Sequence, residues 1–184
     1  MKTAYFAGGC FWCITPDFRE TKGVAGVTSG FSGGEEADPS YEDVKAQRTG
    51  HRETIRIDYD PEKVSYAALL ELFLDCVDPF DAGGQFIDRG RSYTLAVYYG
   101  DETERAAALS ALSALERTEG KPACVAVEPF RGFYPAELYH QDYDLKNPDA
   151  FRRELMESGR MACPRRRRKK SSLRSGPEHP AMPS

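Results

Sequence analysis

The sequence predicts an α+β protein, an α/β sandwich with helices packed on a mixed, mostly antiparallel sheet. Three observations carry this. Strand-like and helix-like segments follow one another along most of the chain. Several strand segments alternate apolar and polar residues, the pattern of a sheet with one face buried. A wholly parallel sheet, covered on both faces, would read as continuous apolar runs instead. No internal repeat is visible, and 184 residues are enough for one sizeable core.

Residues 2–8 read as a first strand running into Gly8-Gly9, where two glycines permit a sharp turn or close approach to a ligand. Residues 10–20 read as a helix. Pro16 is awkward inside it, and a helix starting near Trp12, or at Thr15 with Pro16 as first helical residue, would remove the conflict. Val24 to Phe31 is a second strand, ended by Ser32-Gly33-Gly34. A short helix follows, capped by Ser40 or Asp38 and ended by Gly50. Glu53 to Tyr59 alternates cleanly, with Ile55, Ile57 and Tyr59 on one side. Beyond the Asp60-Pro61 turn, Ser65 caps a helix through Leu69, Leu70, Leu72, Phe73 and Cys76.

Asp78 to Gly90 is a long loop rich in Asp and Gly, and such loops in compact domains usually serve function. Tyr93 to Tyr99 reads as a strand. Asp101 caps a helix to about Arg117, with acidic residues in its first turn and Gly120 as its stop. Val125 to Phe130 is a short strand. Phe133 to Tyr143 holds so many aromatics that it reads as a segment laid over the body. Asn147 or Asp149 opens a last helix through Phe151, Leu155 and Met156. The order β-α-β-α-β-α-loop-β-α-β fits a sandwich with a ferredoxin-like core.

The formal net charge of -4 hides an asymmetry. Arg165 to Arg168, Lys169, Lys170 and Arg174 face only Glu178 in the last stretch, and the body before it is acidic. Residues 1–164 are therefore expected to be a single catalytic domain and 165–184 a basic disordered tail. The acidic body argues against nucleic acid as a partner. No run approaches the ~20 apolar residues of a membrane span, and the N-terminus lacks a signal-peptide pattern. A cytoplasmic monomer is the expectation.

Five cysteines, Cys10, Cys13, Cys76, Cys124 and Cys163, are an odd number and do not resemble a secreted disulfide framework. With one CxxC only, no metal is expected. The chemistry concentrates in Gly8-Gly9-Cys10-Phe11-Trp12-Cys13, at a strand-to-helix join. A cysteine in a first helical turn meets unpaired N–H groups and the positive helix end, which favour thiolate. Cys10 is thus the candidate nucleophile, and Cys13 has the spacing of a dithiol partner. A thiol–disulfide oxidoreductase built on this pair, or a non-enzymatic module that docks polyanions through Arg165 to Lys170, are the alternatives.

Further blocks extend the pattern. They are Asp38-Pro39-Ser40-Tyr41, Thr49-Gly50-His51-Arg52-Glu53, Gly83 to Tyr93, Phe133-Tyr134-Pro135-Ala136-Glu137 and Tyr139-His140-Gln141. With Gly9-Cys10-Phe11-Trp12, they make the chain resemble the A-type methionine sulfoxide reductases, which reduce the S epimer. Cys13 and Gly-Gly-Gln-Phe match a subgroup of that family; Thr94 departs from a common Arg. The resemblance implies peptide-methionine (S)-S-oxide reductase activity on free or protein-bound methionine sulfoxide. It implies no bound cofactor and thioredoxin or a similar dithiol as reductant. Carried over residue by residue, it makes Cys10 the nucleophile and Glu53 the proton donor. Tyr41 and Tyr93 would hydrogen-bond the developing oxygen, and Asp88 would orient a water or hold the loop. Phe11 and Trp12 would form a slot for the methyl group, or serve as core aromatics. Gln85 and His51 would support the substrate site, with a structural histidine an equal reading. Cys13 and Cys163 both stand as resolving cysteines.

Overall fold

The computed structural model describes residues 1–160, and a six-stranded sheet organises them. Its strands are β1 (Lys2–Gly8), β2 (Val24–Ser32), β3 (Arg52–Tyr59), β6 (Leu95–Tyr99), β7 (Val125–Pro129) and β8 (Tyr134–Pro135). They lie in the order β7-β6-β1-β3-β2-β8. Every neighbouring pair is antiparallel except β6 and β7, which run parallel. A parallel pair requires a crossover. Helix α4 (Glu102–Glu119) supplies it, capped by Asp101 accepting from the Glu104 N–H at 2.8 Å and stopped by Gly120 at φ +70°. The predicted mixed, mostly antiparallel sheet is thus the observed one.

Helices α1 (Phe11–Arg19), α3 (Tyr66–Cys76) and α4 lie against the sheet. Phe6, Ile14, Phe18, Ile55, Ile57, Leu69, Phe73 and Val97 are joined in one core cluster there. Tyr5, Ala7, Ala96, Tyr98 and Phe130 form a second cluster. Phe6 and Ala7 fall in different clusters because successive side chains of a strand point to opposite faces. The same alternation divides β3, where Arg52 and Glu53 have different partners. Arg52 donates to Thr94 at 2.8 Å, to the Tyr98 hydroxyl at 3.1 Å and to Glu128 at 3.2 Å. Glu53 meets the head of α1.

Several local expectations need correction. Pro16 lies inside α1, which starts at Phe11. The ring removes one amide donor, and the tertiary packing of Ile14 and Phe18 outweighs that loss. Helix α2 (Tyr41–Lys45) stops well short of Gly50; Ser40 is its cap, accepting from the Asp43 N–H at 3.2 Å. Tyr93 closes a 3-10 turn, Arg91–Tyr93, and the strand begins only at Leu95. Within the long loop sits a minimal hairpin, β4 (Gly84–Gln85) and β5 (Asp88–Arg89). A 3-10 turn at Leu138–His140, α5 (Tyr143–Lys146) and α6 (Pro148–Glu157) complete the chain as described. Cys163 and the basic tail, 165–184, lie outside the described residues.

Candidate active site

Cys10 stands where β1 hands over to α1. It is the N-cap of α1, with φ -52° and ψ 116°, and its carbonyl accepts from the Cys13 N–H at 3.1 Å. Gly9 makes the turn at φ +77°, a conformation costly for other residues. A β-carbon there would also collide with the Arg160 guanidinium and lie 2.7 Å from Gln85 Cβ. Gly9 therefore does two things: it turns the chain, and it admits Arg160 and Gln85 against the backbone.

The first turn of a helix leaves N–H groups without intrahelical partners. Phe11 is such a position, and its N–H donates to Glu53 Oε2 at 3.0 Å. That bond brings a carboxyl from β3 to the residue beside Cys10. Glu53 is only 1 % exposed, and burial pushes its carboxyl up to about 8. The Phe11 N–H and the Arg160 cation pull the other way, while Asp88 and Cys13 add to the rise. Desolvation wins, so Glu53 carries a proton at neutral pH.

The sulfur of Cys10 is not the exposed, ready thiolate that the helix start suggested. Cys10 is 6 % exposed, and its sulfur clusters with Cys13 and Leu155, with Trp12 and Phe151 alongside. A hydrogen bond to Cys13 holds the Cys10 proton, and with burial it raises this thiol well above its ordinary value; Arg160 opposes. The same bond draws the Cys13 thiol down, with help from Arg160 and against burial. The helix terminus is a local, fractional charge. The hydrogen bond to Cys13 and the loss of water around the Cys10 sulfur outweigh it.

Aromatic rings wall the site. Trp12 stacks on Tyr143 with centroids 3.9 Å apart, and Tyr41 lies 6.2 Å from Phe11 and 6.3 Å from Trp12. His140 sits among these rings, 4.1 Å from Tyr41 and 5.4 Å from both Phe11 and Trp12. Burial lowers its imidazole, which favours the neutral form. Phe11 itself belongs to the main core cluster, and Trp12 is only partly buried against it. Burial raises the Tyr41 and Tyr93 phenols, and ionisation of Glu53 or Cys10 raises them further. Both are therefore proton-bearing hydrogen-bond donors near those groups.

Asp88, at the tip of the small hairpin, is half-buried and raised by burial; Arg160 and Lys45 lower it. Gln85 spends its amide on the loop. It accepts from the Asp78 N–H and donates to the Asp78 and Gly84 carbonyls, each at 2.8 Å. His51 is spent likewise, accepting from the Gly34 N–H at 3.2 Å and bonding the Glu36 carbonyl at 2.8 Å. These two side chains hold loops; their polar ends already have protein partners. Arg160, Glu154, Leu155 and Phe151 were absent from the candidates. Only the amphipathic pattern of the last helix hinted at them, and it said nothing about which surface the helix covers.

Among the described residues, no disulfide joins Cys10, Cys13, Cys76 or Cys124, and no cluster of His, Cys, Asp and Glu is placed to hold a metal. No described helix is long and apolar enough to cross a membrane.

The family model for peptide methionine sulfoxide reductase matches residues 2–172. A peptide methionine sulfoxide reductase MsrA of Bacillus velezensis is 43% identical over 159 residues, covering 85% of this chain and 90% of the relative. The MsrA 2 of Staphylococcus aureus is 42% identical over 162 residues, covering 86% and 91%. Among solved structures, reduced Mxr1 from Saccharomyces cerevisiae superposes with a TM-score of 0.76 at 26% identity, covering 80% of this chain and 86% of that one. Methionine sulfoxide reductase A of Corynebacterium diphtheriae gives 0.73 at 28% identity, covering 80% and 75%. On sequence, fold and the cysteine–carboxyl pair at the head of α1, this chain belongs to the peptide methionine sulfoxide reductase family, of the MsrA type.

Proposed function

We propose that the protein reduces the S epimer of methionine sulfoxide, free or within oxidised proteins, with Cys10 as nucleophile and Glu53 as proton donor. The observation that carries this is a buried, neutral carboxyl held by the N–H next to the cysteine. A sulfoxide sulfur is electrophilic, but its oxygen leaves only when protonated. Cys10 gives its proton along the hydrogen bond to Cys13 as its sulfur attacks. Glu53 gives its proton to the sulfoxide oxygen. The hydroxyl passes from the methionine sulfur to the Cys10 sulfur as the bond between the two sulfurs breaks, so methionine departs and Cys10 is left as sulfenic acid. Tyr41 and Tyr93 donate to the oxygen as charge develops, and Asp88 orients the loop beside it. Phe11 and Trp12 present apolar ring surface to the methyl group.

Cys13 then attacks the sulfenic sulfur. Its proton leaves with the hydroxyl as water, and a Cys10–Cys13 disulfide remains. The Cys10–Cys13 hydrogen bond supports Cys13 in this role. Thioredoxin or a similar dithiol reduces the disulfide; Mxr1 has been seen in complex with Trx2. Five cysteines with no secreted disulfide framework suit a reducing compartment, and we place the enzyme in the cytoplasm, acting as a monomer through residues 1–164.

The test separates the epimers. With dithiothreitol, wild type should consume the S sulfoxide and leave the R form, and Cys10→Ser should consume neither while melting as wild type does. Undiminished turnover by Cys10→Ser would refute the assignment. Disulfide mapping after one equivalent of sulfoxide should show Cys10–Cys13; a Cys10–Cys163 bond would transfer the second role.

A further inference from the structure

Arg160 is 1 % exposed, although arginine is almost never fully buried without a purpose for its charge. It lies just past α6, yet its guanidinium is seated at the other end of the chain. Nη2 donates to the Gly8 carbonyl at 3.2 Å. The same nitrogen lies where a Gly9 β-carbon would be, and the guanidinium carbon stands 5.0 Å from the centroid of the Phe86 ring. Three separate elements therefore form its seat: the end of β1, the turn before Cys10, and the β4–β5 hairpin.

Around this seat the titratable groups come from every side. Cys10 and Cys13 stand at the head of α1, Glu53 on β3, Asp88 on β5 and Glu154 on α6. Arg160 favours the charged form of each of the five. Lys45 on α2 also acts on Asp88 and Glu154. Tyr41 and Tyr93 face the same space with their protons retained. Negative charge develops on the sulfur pair as Cys10 attacks, and an anion remains after Glu53 has given up its proton. In a medium of low effective dielectric, such charge needs a fixed counter-ion.

We propose that Arg160 is a positioning residue for the reaction: clamped against Gly8-Gly9 and Phe86, it is the fixed cation that holds negative charge on the Cys10–Cys13 sulfur pair. This rests on the reading of that pair as the reacting thiols. The C-terminal segment thereby contributes to the chemistry and covers the site with Leu155 and Phe151 at the same time. The arrangement also explains why position 9 is glycine: any side chain there would displace the guanidinium from the backbone it grips.

The experiment measures the pH dependence of iodoacetamide labelling, read at Cys10 and Cys13 separately by mass spectrometry, in the full-length reduced chain. Arg160→Met keeps the stem and removes the charge; Arg160→Lys keeps the charge. Loosening of α6 alters the plateau rate through access, whereas loss of the cation moves the midpoint. The midpoint should rise by about one pH unit in Arg160→Met, a roughly tenfold slower reaction on the acidic limb. In Arg160→Lys it should stay near wild type. A midpoint unmoved in Arg160→Met, or moved equally by both variants, would overturn the proposal. Phe86→Leu removes the ring but leaves the cation in the chain, and serves if Arg160→Met does not fold. It should raise the midpoint by a smaller amount; no rise there would overturn the proposal too. Labelling needs no sulfoxide, so these outcomes are distinct from failure of Cys10→Ser to lose reductase activity.

Discussion

Replacing Glu53 by glutamine should make the protein a poorer enzyme and relieve a pH-dependent cost of folding. The native carboxyl titrates at about 8, against 4.5 for the ordinary group. A carboxyl raised by folding binds more protons in the native state than in the unfolded chain. Its contribution is fully present below the ordinary value and is lost as pH climbs through the native value. At pH 7 the unfolded chain is ionised at this position and the native one is not. The difference is about 2.5 units, at about 1.4 kcal/mol per unit, or roughly 3 kcal/mol. Glutamine keeps an oxygen for the Phe11 N–H and never ionises. Urea unfolding of wild type and Glu53→Gln at pH 4.5, 6, 7 and 8 should therefore show the variant gaining on wild type by roughly 3 kcal/mol between the first and third points. Single-turnover reduction of the S sulfoxide should meanwhile fall by about two decades or more, the usual worth of a general acid. In wild type that rate should also decline as pH rises through about 8, because the donor then loses its proton. A stability difference flat across pH would mean that Glu53 is ionised in the native protein. A near-normal rate in the variant would remove it as the donor.

Other perturbations test the remaining parts of the site. Cys13→Ser should still reduce one equivalent of sulfoxide but stop at a Cys10 sulfenic acid, which dimedone traps; multiple turnover with thioredoxin should drop by at least tenfold. Gly9→Ala should cost roughly 2–4 kcal/mol in urea unfolding, because it strains a φ of +77° and forces Arg160 and Gln85 away. Tyr93→Phe removes one donor near Glu53 and Cys10, and kcat should fall about tenfold to a hundredfold with the melting temperature little changed. Leu155→Ala should speed alkylation of Cys10 at fixed pH, since it thins the cover over the sulfur.

Much of the fold was legible because its signals are local. The β3 alternation of Ile55, Ile57 and Tyr59 follows from strand geometry alone, and each faces inward as expected. Ser65 and Asp101 are caps because an oxygen on a short side chain can reach the N–H groups that a helix start leaves open. Pro16 shows the limit of such local signals. Local propensity says that a proline should begin a helix, and only packing of the whole segment decides that it sits within one. Tyr93 likewise reads as strand by residue type, while the turn at Gly90 sets its backbone.

What the sequence determined by itself was the cast: a cysteine at a strand-to-helix turn, a second one a helical step away, and the motif glutamate, tyrosines and aspartate. What the tertiary structure alone decided was their ionisation. Glu53 comes to Phe11 across 42 residues of chain, and Arg160 comes to Gly8 across 152. Whether a carboxyl keeps its proton, or a thiol yields one, depends on how much water surrounds it and which charges are near. Those are properties of segments distant along the chain, and no pattern within a single segment records them.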